Sequence, residues 1–252
     1  MSIPVGICLS PKRVPDLAPG YDYLELGVSS DLVPLKEDFS PEPLQALRPP
    51  VRAFNIFVPK ELKLVGPNVH WEQVELYVQR ALSRAKMVGG QVIVFGSGGA
   101  RRVPEGFSKE EAWNQIKRFL TLCANYAEKN AIIIAIEPLN QQETNILNTY
   151  AEAVEMARQV NRKPIRVLAD IYHFVMEEEP LEHIRQAPEW LAHVHLADSG
   201  RYYPGSGTYP LKELFEILHE IDYQGMVSIE CRWRDLSQES RAALAYVRSL
   251  AG

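Results

Sequence analysis

The 252-residue sequence predicts an α/β fold, a single (β/α)8 TIM barrel domain taking in residues 1–252. Three observations carry this expectation. Apolar runs of strand length alternate eight times with segments of helical spacing, the pattern of parallel βαβ units. No linker or composition shift divides the chain, and about 250 residues is the size of eight such units. Ionisable residues also stand at the carboxyl ends of several different runs. A doubly wound open sheet, the alternative, would gather them at one switch point.

The elements follow in order. Ile3 to Leu9 reads as the first strand, and Tyr21 to Gly27 as the second, broken by Gly27. A short helix follows Ser40-Pro41-Glu42, with Ser40 as cap and Pro41 at the first position, where proline costs little. Val51 to Phe57 is the third strand. In residues 71–88, Val74, Tyr77, Val78, Ala81, Leu82, Ala85 and Val88 fall on one helical face. Gly89-Gly90 ends that helix, and Val92 to Phe95 is strand four. Ser108 and Glu111 form a capping box opening a helix to about Lys129. Strand five ends at Glu137, Thr149 caps a helix to about Val160, and strand six ends at Asp170. A weakly patterned helix near 180–189 leads into strand seven, which begins at Leu191. Pro210 to about Ile221 is helical, strand eight ends at Glu230, and residues 236–250 close the chain as a helix.

The run from Leu191 to Asp198 is the most informative stretch. His193 and His195 interrupt it at alternate positions and so share one face, whereas a strand covered on both sides should read as continuous Val, Ile and Leu. Three other runs end in Glu137, in Asp170 with His173 just beyond, and in Glu230. Core packing does not predict this, because carboxylates are rarely buried without a partner. Closing the barrel brings Glu137, Asp170, His195 and Glu230 to one mouth. Three carboxylates and an imidazole suit one divalent metal ion, Mn or Mg first, with Co or Zn compatible.

The bulk numbers exclude other classes. A net charge of −5 and a pI near 5.8 oppose a protein built around nucleic-acid phosphates. Cys8, Cys123 and Cys231 lack CxxC spacing, so neither a disulfide framework nor a cysteine zinc site is expected. There is no signal-peptide pattern and no run approaching a membrane span. The expected setting is cytoplasmic, without membrane or nucleic-acid partners, and a homo-oligomer is compatible with the sequence.

These residues resemble the xylose-isomerase-like barrels, in particular the sugar epimerase and isomerase group of ketose 3-epimerases, hydroxypyruvate isomerases and inosose dehydratases. The motifs are Ile136-Glu137-Pro138-Leu139-Asn140, Asp170 with His173, His193-Val194-His195 through Asp198 to Arg201, Pro204-Gly205 with Gly207, and Ile229-Glu230; Phe95 to Arg102 is similar to the group's fourth-strand loop. The resemblance implies a metal on Glu137, Asp170, His195 and Glu230, and contacts from Glu143, His173 and Arg201 to the oxygens at one end of a sugar or cyclitol substrate. It further implies an isomerase or epimerase in carbohydrate metabolism. A metal bridging a carbonyl and adjacent hydroxyl stabilises an enediolate, while Glu137 and Glu230 remove and return a proton. An inosose-type dehydratase, expelling a β-hydroxyl from the same intermediate, is the alternative.

His193 is expected to support the site from the core rather than to bind metal. His173 reads as functional, with orientation of Asp170 as its other role. Gly96-Ser97-Gly98-Gly99 lacks phosphate-loop or dinucleotide spacing and is assigned no cofactor. For Arg101 and Arg102 the choice is solvated surface or contact with an anionic substrate group; His70, His183 and His219 are expected to be exposed. Glu25 and Asn55 lie near strand ends, and contact with substrate stays open for both. A three-zinc apurinic-site DNA endonuclease uses a related barrel, but it needs histidines ending strands three and four and an Asp-x-His pair after strand seven. Those positions hold Asn55-Ile56-Phe57, Phe95-Gly96-Ser97 and Ser206-Gly207-Thr208.

Overall fold

The computed structural model describes residues 3–252. Eight strands pair in parallel: β1 (Val5–Cys8), β2 (Tyr23–Gly27), β3 (Val51–Asn55), β4 (Val92–Phe95), β5 (Ile133–Ile136), β6 (Ile165–Asp170), β7 (Leu191–Leu196) and β8 (Met226–Ile229). Each pairs with the next, and β8 returns to β1 with Val5 opposite Val227, closing the barrel. The helices are α1 (Glu42–Gln45), α2 (Trp71–Val88), α3 (Gly98–Arg101), α4 (Lys109–Asn130), α5 (Tyr150–Val160), α6 (Ile171–Met176), α7 (Glu182–Gln186), α8 (Leu211–Glu220) and α9 (Leu236–Ala251). None among the described residues is long and apolar enough to cross a membrane.

Local chemistry sets most boundaries. Thr149 Oγ1 accepts from the Glu152 amide while the Glu152 carboxylate accepts from the Thr149 amide, a complete capping box that starts α5. Ser108 Oγ likewise accepts from the Glu111 amide at the head of α4. The α2 face drawn from spacing is buried from Val74 to Val88, and Gly89, at φ 103°, ends the helix in the left-handed conformation.

The differences from expectation have local causes. Strand three stops at Asn55 because Ile56 turns to φ 46°. α1 is a single turn and Pro41, not Ser40, occupies its cap position. The segment expected as one helix near 180–189 is α7 followed by a 3-10 turn at Pro188–Trp190, since Pro188 has no N–H to continue the ladder. α6, which the sequence pattern left unassigned, begins directly at β6, where Asp170 Oδ1 accepts from the Tyr172 amide.

Strand alternation orders the barrel bore. Tyr23, Ala53, Val92, Val94, Ala135, Leu168 and Met226 form an apolar cluster separate from the core between strands and helices. Two residues further along their strands, inward positions become Glu25, Asn55, Gly96, Glu137, Asp170 and Ser228. Registers align this upper level: Asp170 lies opposite His195, and His195 opposite Ser228. Gly6 makes room for the lower level, because a Cβ there would overlap the Tyr23 ring.

Candidate active site

Glu137, Asp170, His195 and Glu230, predicted as one cluster, come together at the carboxyl ends of β5 to β8, each offering a donor atom within 4.8 Å of the others. His195 Nδ1 lies 3.3 Å from Glu137 Oε1 and 3.5 Å from Glu230 Oε2. Its Nε2 is engaged by Glu25 Oε1 at 2.9 Å. Asp170 spends Oδ1 on the Tyr172 amide, leaving Oδ2 buried. Among the described residues, Asp170 Oδ2 and His195 Nδ1 are buried without hydrogen-bond partners. Such atoms are costly unless something completes them. The donor set therefore fits a divalent cation held by oxygen and imidazole nitrogen.

A second group, Cys8, Glu25 and His195, also lies within 4.8 Å, but its valences are taken. Glu25 accepts from both histidines and from Ser228, and burial pushes the Cys8 thiol well up. It is a closed network beneath the open one.

Electrostatics separates the carboxylates. Burial, then Glu137 and Glu230, push Asp170 up to about 8. Burial also raises Glu137. Burial acts upward on Glu230 too, but His195 and Arg201 outweigh it and hold this group at about 2. Burial would likewise raise Glu25, yet His195 and His193 beside it keep its carboxyl well below the usual range.

Glu230 is fastened from two sides, by Arg201 Nη2 at 2.8 Å and by Asn55 Nδ2 at 3.3 Å. Arg201 also donates to Glu143 Oε1 at 3.1 Å and stacks 4.5 Å over the Tyr172 ring. His173 Nδ1 accepts from the Asn140 amide at 3.1 Å. A backbone N–H can only donate, so the neutral ring carries its proton on Nε2. That Nε2 is buried without a partner, 3.6 Å from Asp170 Oδ2. Burial, and then Arg201, lower His173 to about 3, making it a neutral donor at physiological pH. Glu143, His173 and Arg201, predicted as a group, thus lie around the same cluster. A cavity of about 510 Å³ opens over it, lined by Asn55, Ile56, Lys60, Glu137, Glu143, Arg201 and Glu230 among others. A larger groove of about 740 Å³, between Lys63, Arg102 and Asn145, contains none of these residues.

The structure corrects or completes several readings. Arg101 is neither solvated nor turned toward substrate: it is fully buried, and its guanidinium donates to the carbonyls of Phe95, Glu137 and Leu147. Carbonyls leaving β4 and β5 need donors there, and burial pulls the Arg101 pKa down to about 10. Arg102 is exposed, with Gln142 O as its partner. His193 is buried on Glu25, as expected of a supporting residue. His70 and His219 are exposed, while His183 is half-buried against Glu179. Gly96 is more than a turn residue, because a Cβ there would overlap Glu137 Oε2. Its place one strand from Glu137 was a readable signal. Asn140, pairing with both His173 and Glu143, had no signal beyond its motif.

A family profile described as Xylose isomerase-like TIM barrel matches residues 17–250. A 3-dehydro-D-guloside 4-epimerase of Escherichia coli (strain K12) is 35% identical over 133 residues, 52% of this chain and 51% of that protein. A D-psicose 3-epimerase of Agrobacterium fabrum is 33% identical over 152 residues, 51% of this chain and 53% of that protein. The chain thus spans about half the length of the curated relatives it matches. In fold, it superposes on the crystal structure of a D-psicose 3-epimerase with D-tagatose from Clostridium cellulolyticum H10 with a TM-score of 0.86 at 23% identity, covering 100% of this chain and 99% of that one.

Proposed function

The chain belongs to the xylose isomerase-like TIM barrel family, and on that premise we propose that it is a divalent-cation-dependent epimerase or isomerase of a keto sugar, with Glu137 and Glu230 as its acid–base pair. The observation that carries this reading is the cluster of Glu137, Asp170, His195 and Glu230 with two buried, unpartnered donor atoms at its centre. Glu137, Asp170, His195 and Glu230 would hold the cation, Mn or Mg by their oxygen-rich donor set. When bound, it supplies Lewis acidity toward the oxygens of a substrate carbonyl and its neighbouring hydroxyl.

The side chains divide the remaining work. Glu230, kept anionic by His195 and Arg201 and held in place by Arg201 and Asn55, takes a proton from the carbon beside the carbonyl, and Glu137 returns one, or the pair acts in reverse order. Delivery to the opposite face inverts that carbon; delivery to the neighbouring carbon isomerises the sugar. His173 donates its Nε2 proton, and Glu143 with Arg201 completes a polar clamp on the hydroxyls at one end. The relatives support this class by their names: a 4-epimerase of a 3-dehydro sugar, 3-epimerases of psicose, and a hydroxypyruvate isomerase. In the first of these, inversion falls on the carbon next to the carbonyl. The same position is asked of Glu137 and Glu230 here.

The test is proton exchange. Manganese-loaded protein is incubated in deuterated water with ketoses, 3-keto glycosides, hydroxypyruvate and inososes. Deuterium should enter beside the carbonyl of at least one of them and require the cation. Loss of water from an inosose without an epimer would move the reading to a dehydratase. No exchange in any member of the panel would count against an acid–base pair.

A further inference from the structure

We infer that Glu25 is the positioning residue of this centre: it sets which nitrogen of His195 carries a proton and so leaves Nδ1 free to face the three carboxylates. This rests on the cluster being a cation site. Glu25 lies on β2, across the bore from β7, and is fully buried. Its Oε1 meets His195 Nε2 at 2.9 Å, and its Oε2 meets His193 Nε2 at 2.8 Å. Ser228 Oγ donates to Oε2 at 2.6 Å, which leaves Tyr23 Oη as the donor in its 2.7 Å contact with Ser228 Oγ. His193, His195 and Ser228 therefore all donate to Glu25, and Tyr23 donates to Ser228. A carboxylate can only accept, so both imidazoles must present Nε2–H to it. With Nε2 of His195 fixed on Glu25, Nδ1, the atom beside Glu137 and Glu230, is the nitrogen left to give its lone pair to a cation. A ligand imidazole needs such a partner on its other nitrogen, and here the partner comes from the far wall of the barrel. His193 and Ser228 serve by holding Oε2, so that Oε1 has one orientation.

Glu25→Gln separates positioning from packing, because glutamine has the same shape. Oε2 receives two donors, His193 and Ser228, so the amide oxygen keeps that place and the NH2 group faces His195. His195 must then accept at Nε2 and carry its proton on Nδ1, which closes the cation site without leaving a buried charge unpaired. Two readouts follow. Titration with Mn(II), monitored by the electron paramagnetic resonance of the free ion, should give a Kd weakened roughly 10–100-fold, while the cation-free melting temperature stays near the parent's. In cation-free protein, 15N shifts of the His195 ring should change from a protonated Nε2 in the parent to an unprotonated one in E25Q. Parent-like affinity together with a protonated Nε2 in E25Q would overturn the inference. If the parent itself binds no Mn(II), the cation reading fails, and the ring shifts still decide the role of Glu25. Should E25Q not fold, Ser228→Ala decides: loosening Oε2 should weaken Mn(II) binding about tenfold, the low end of that range, and an unchanged Kd would overturn the inference.

Discussion

The two halves of the barrel bore obey one alternation rule and opposite chemical ones. In the amino-terminal half, inward positions are filled by Tyr23, Ala53, Val92, Val94, Ala135, Leu168 and Met226, and dispersion and water exclusion hold them. Two residues further along β2, β5, β6 and β8, the inward positions become Glu25, Glu137, Asp170 and Ser228, all buried, and β7 contributes His193 level with Leu168 and His195 level with Asp170. This upper half is itself graded. Around Glu25 each carboxylate oxygen is paired, whereas on the other side of the His195 ring Asp170 Oδ2 and His195 Nδ1 have no partner. The lower half is a plug whose worth is stability. The upper half accepts an electrostatic cost, visible in Asp170 at about 8, and keeps its donors open for chemistry.

The sharpest way to test this division is to remove basicity without removing shape. Glu137→Gln and Glu230→Gln should each lower turnover of a confirmed substrate by about 10²–10⁴-fold, the usual worth of acid–base catalysis, while keeping part of the cation affinity through the remaining oxygen. Near-parental turnover in both would sink the two-glutamate mechanism. Leu168→Ala makes the opposite cut. It empties space under the site and should cost about 2–5 kcal/mol of stability, read from denaturant unfolding, with turnover per folded molecule preserved. A large loss of turnover at full folding would erase the boundary between the two halves.

A third measurement concerns the graded layer. In the cation-free protein, Asp170 holds its proton up to about 8, against an ordinary 3.8. A carboxyl that binds its proton more tightly folded than unfolded adds stability at low pH, and this fades as pH rises from about 4 through about 8. Cation binding needs the ionised carboxylate. The rise in melting temperature at fixed free Mn(II) should therefore grow between pH 5 and pH 8. A rise that is flat across this range would remove Asp170 from the ligand set. The smallest effect is expected outside the bore. Thr149→Ala breaks the capping box of α5 and should cost about 1 kcal/mol, a fall of roughly 2–4 °C in melting temperature. Cation affinity and turnover should not change.

Much of this was legible in the chain because the signals are local. Helical spacing located α2 to the residue, and Thr149 located the start of α5. Alternation in β7 and polar residues ending β5, β6 and β8 were enough to gather Glu137, Asp170, His195 and Glu230, since parallel strands all point their carboxyl ends to one rim. What closure alone decided is who meets whom across the bore. Glu25 reads as a carboxylate near a strand end, with contact to substrate open, until β2 faces β7 and places it between His193 and His195. Arg101 reads as surface or as a contact for an anionic substrate group until α3 turns it under the carbonyls of Phe95, Glu137 and Leu147. Gly96 reads as a turn until Glu137 is seen to occupy the space its missing side chain leaves. Periodicity and capping act over a few residues and are written in sequence order. The partner of a buried polar group is set by strand register and barrel closure, which only the folded chain supplies.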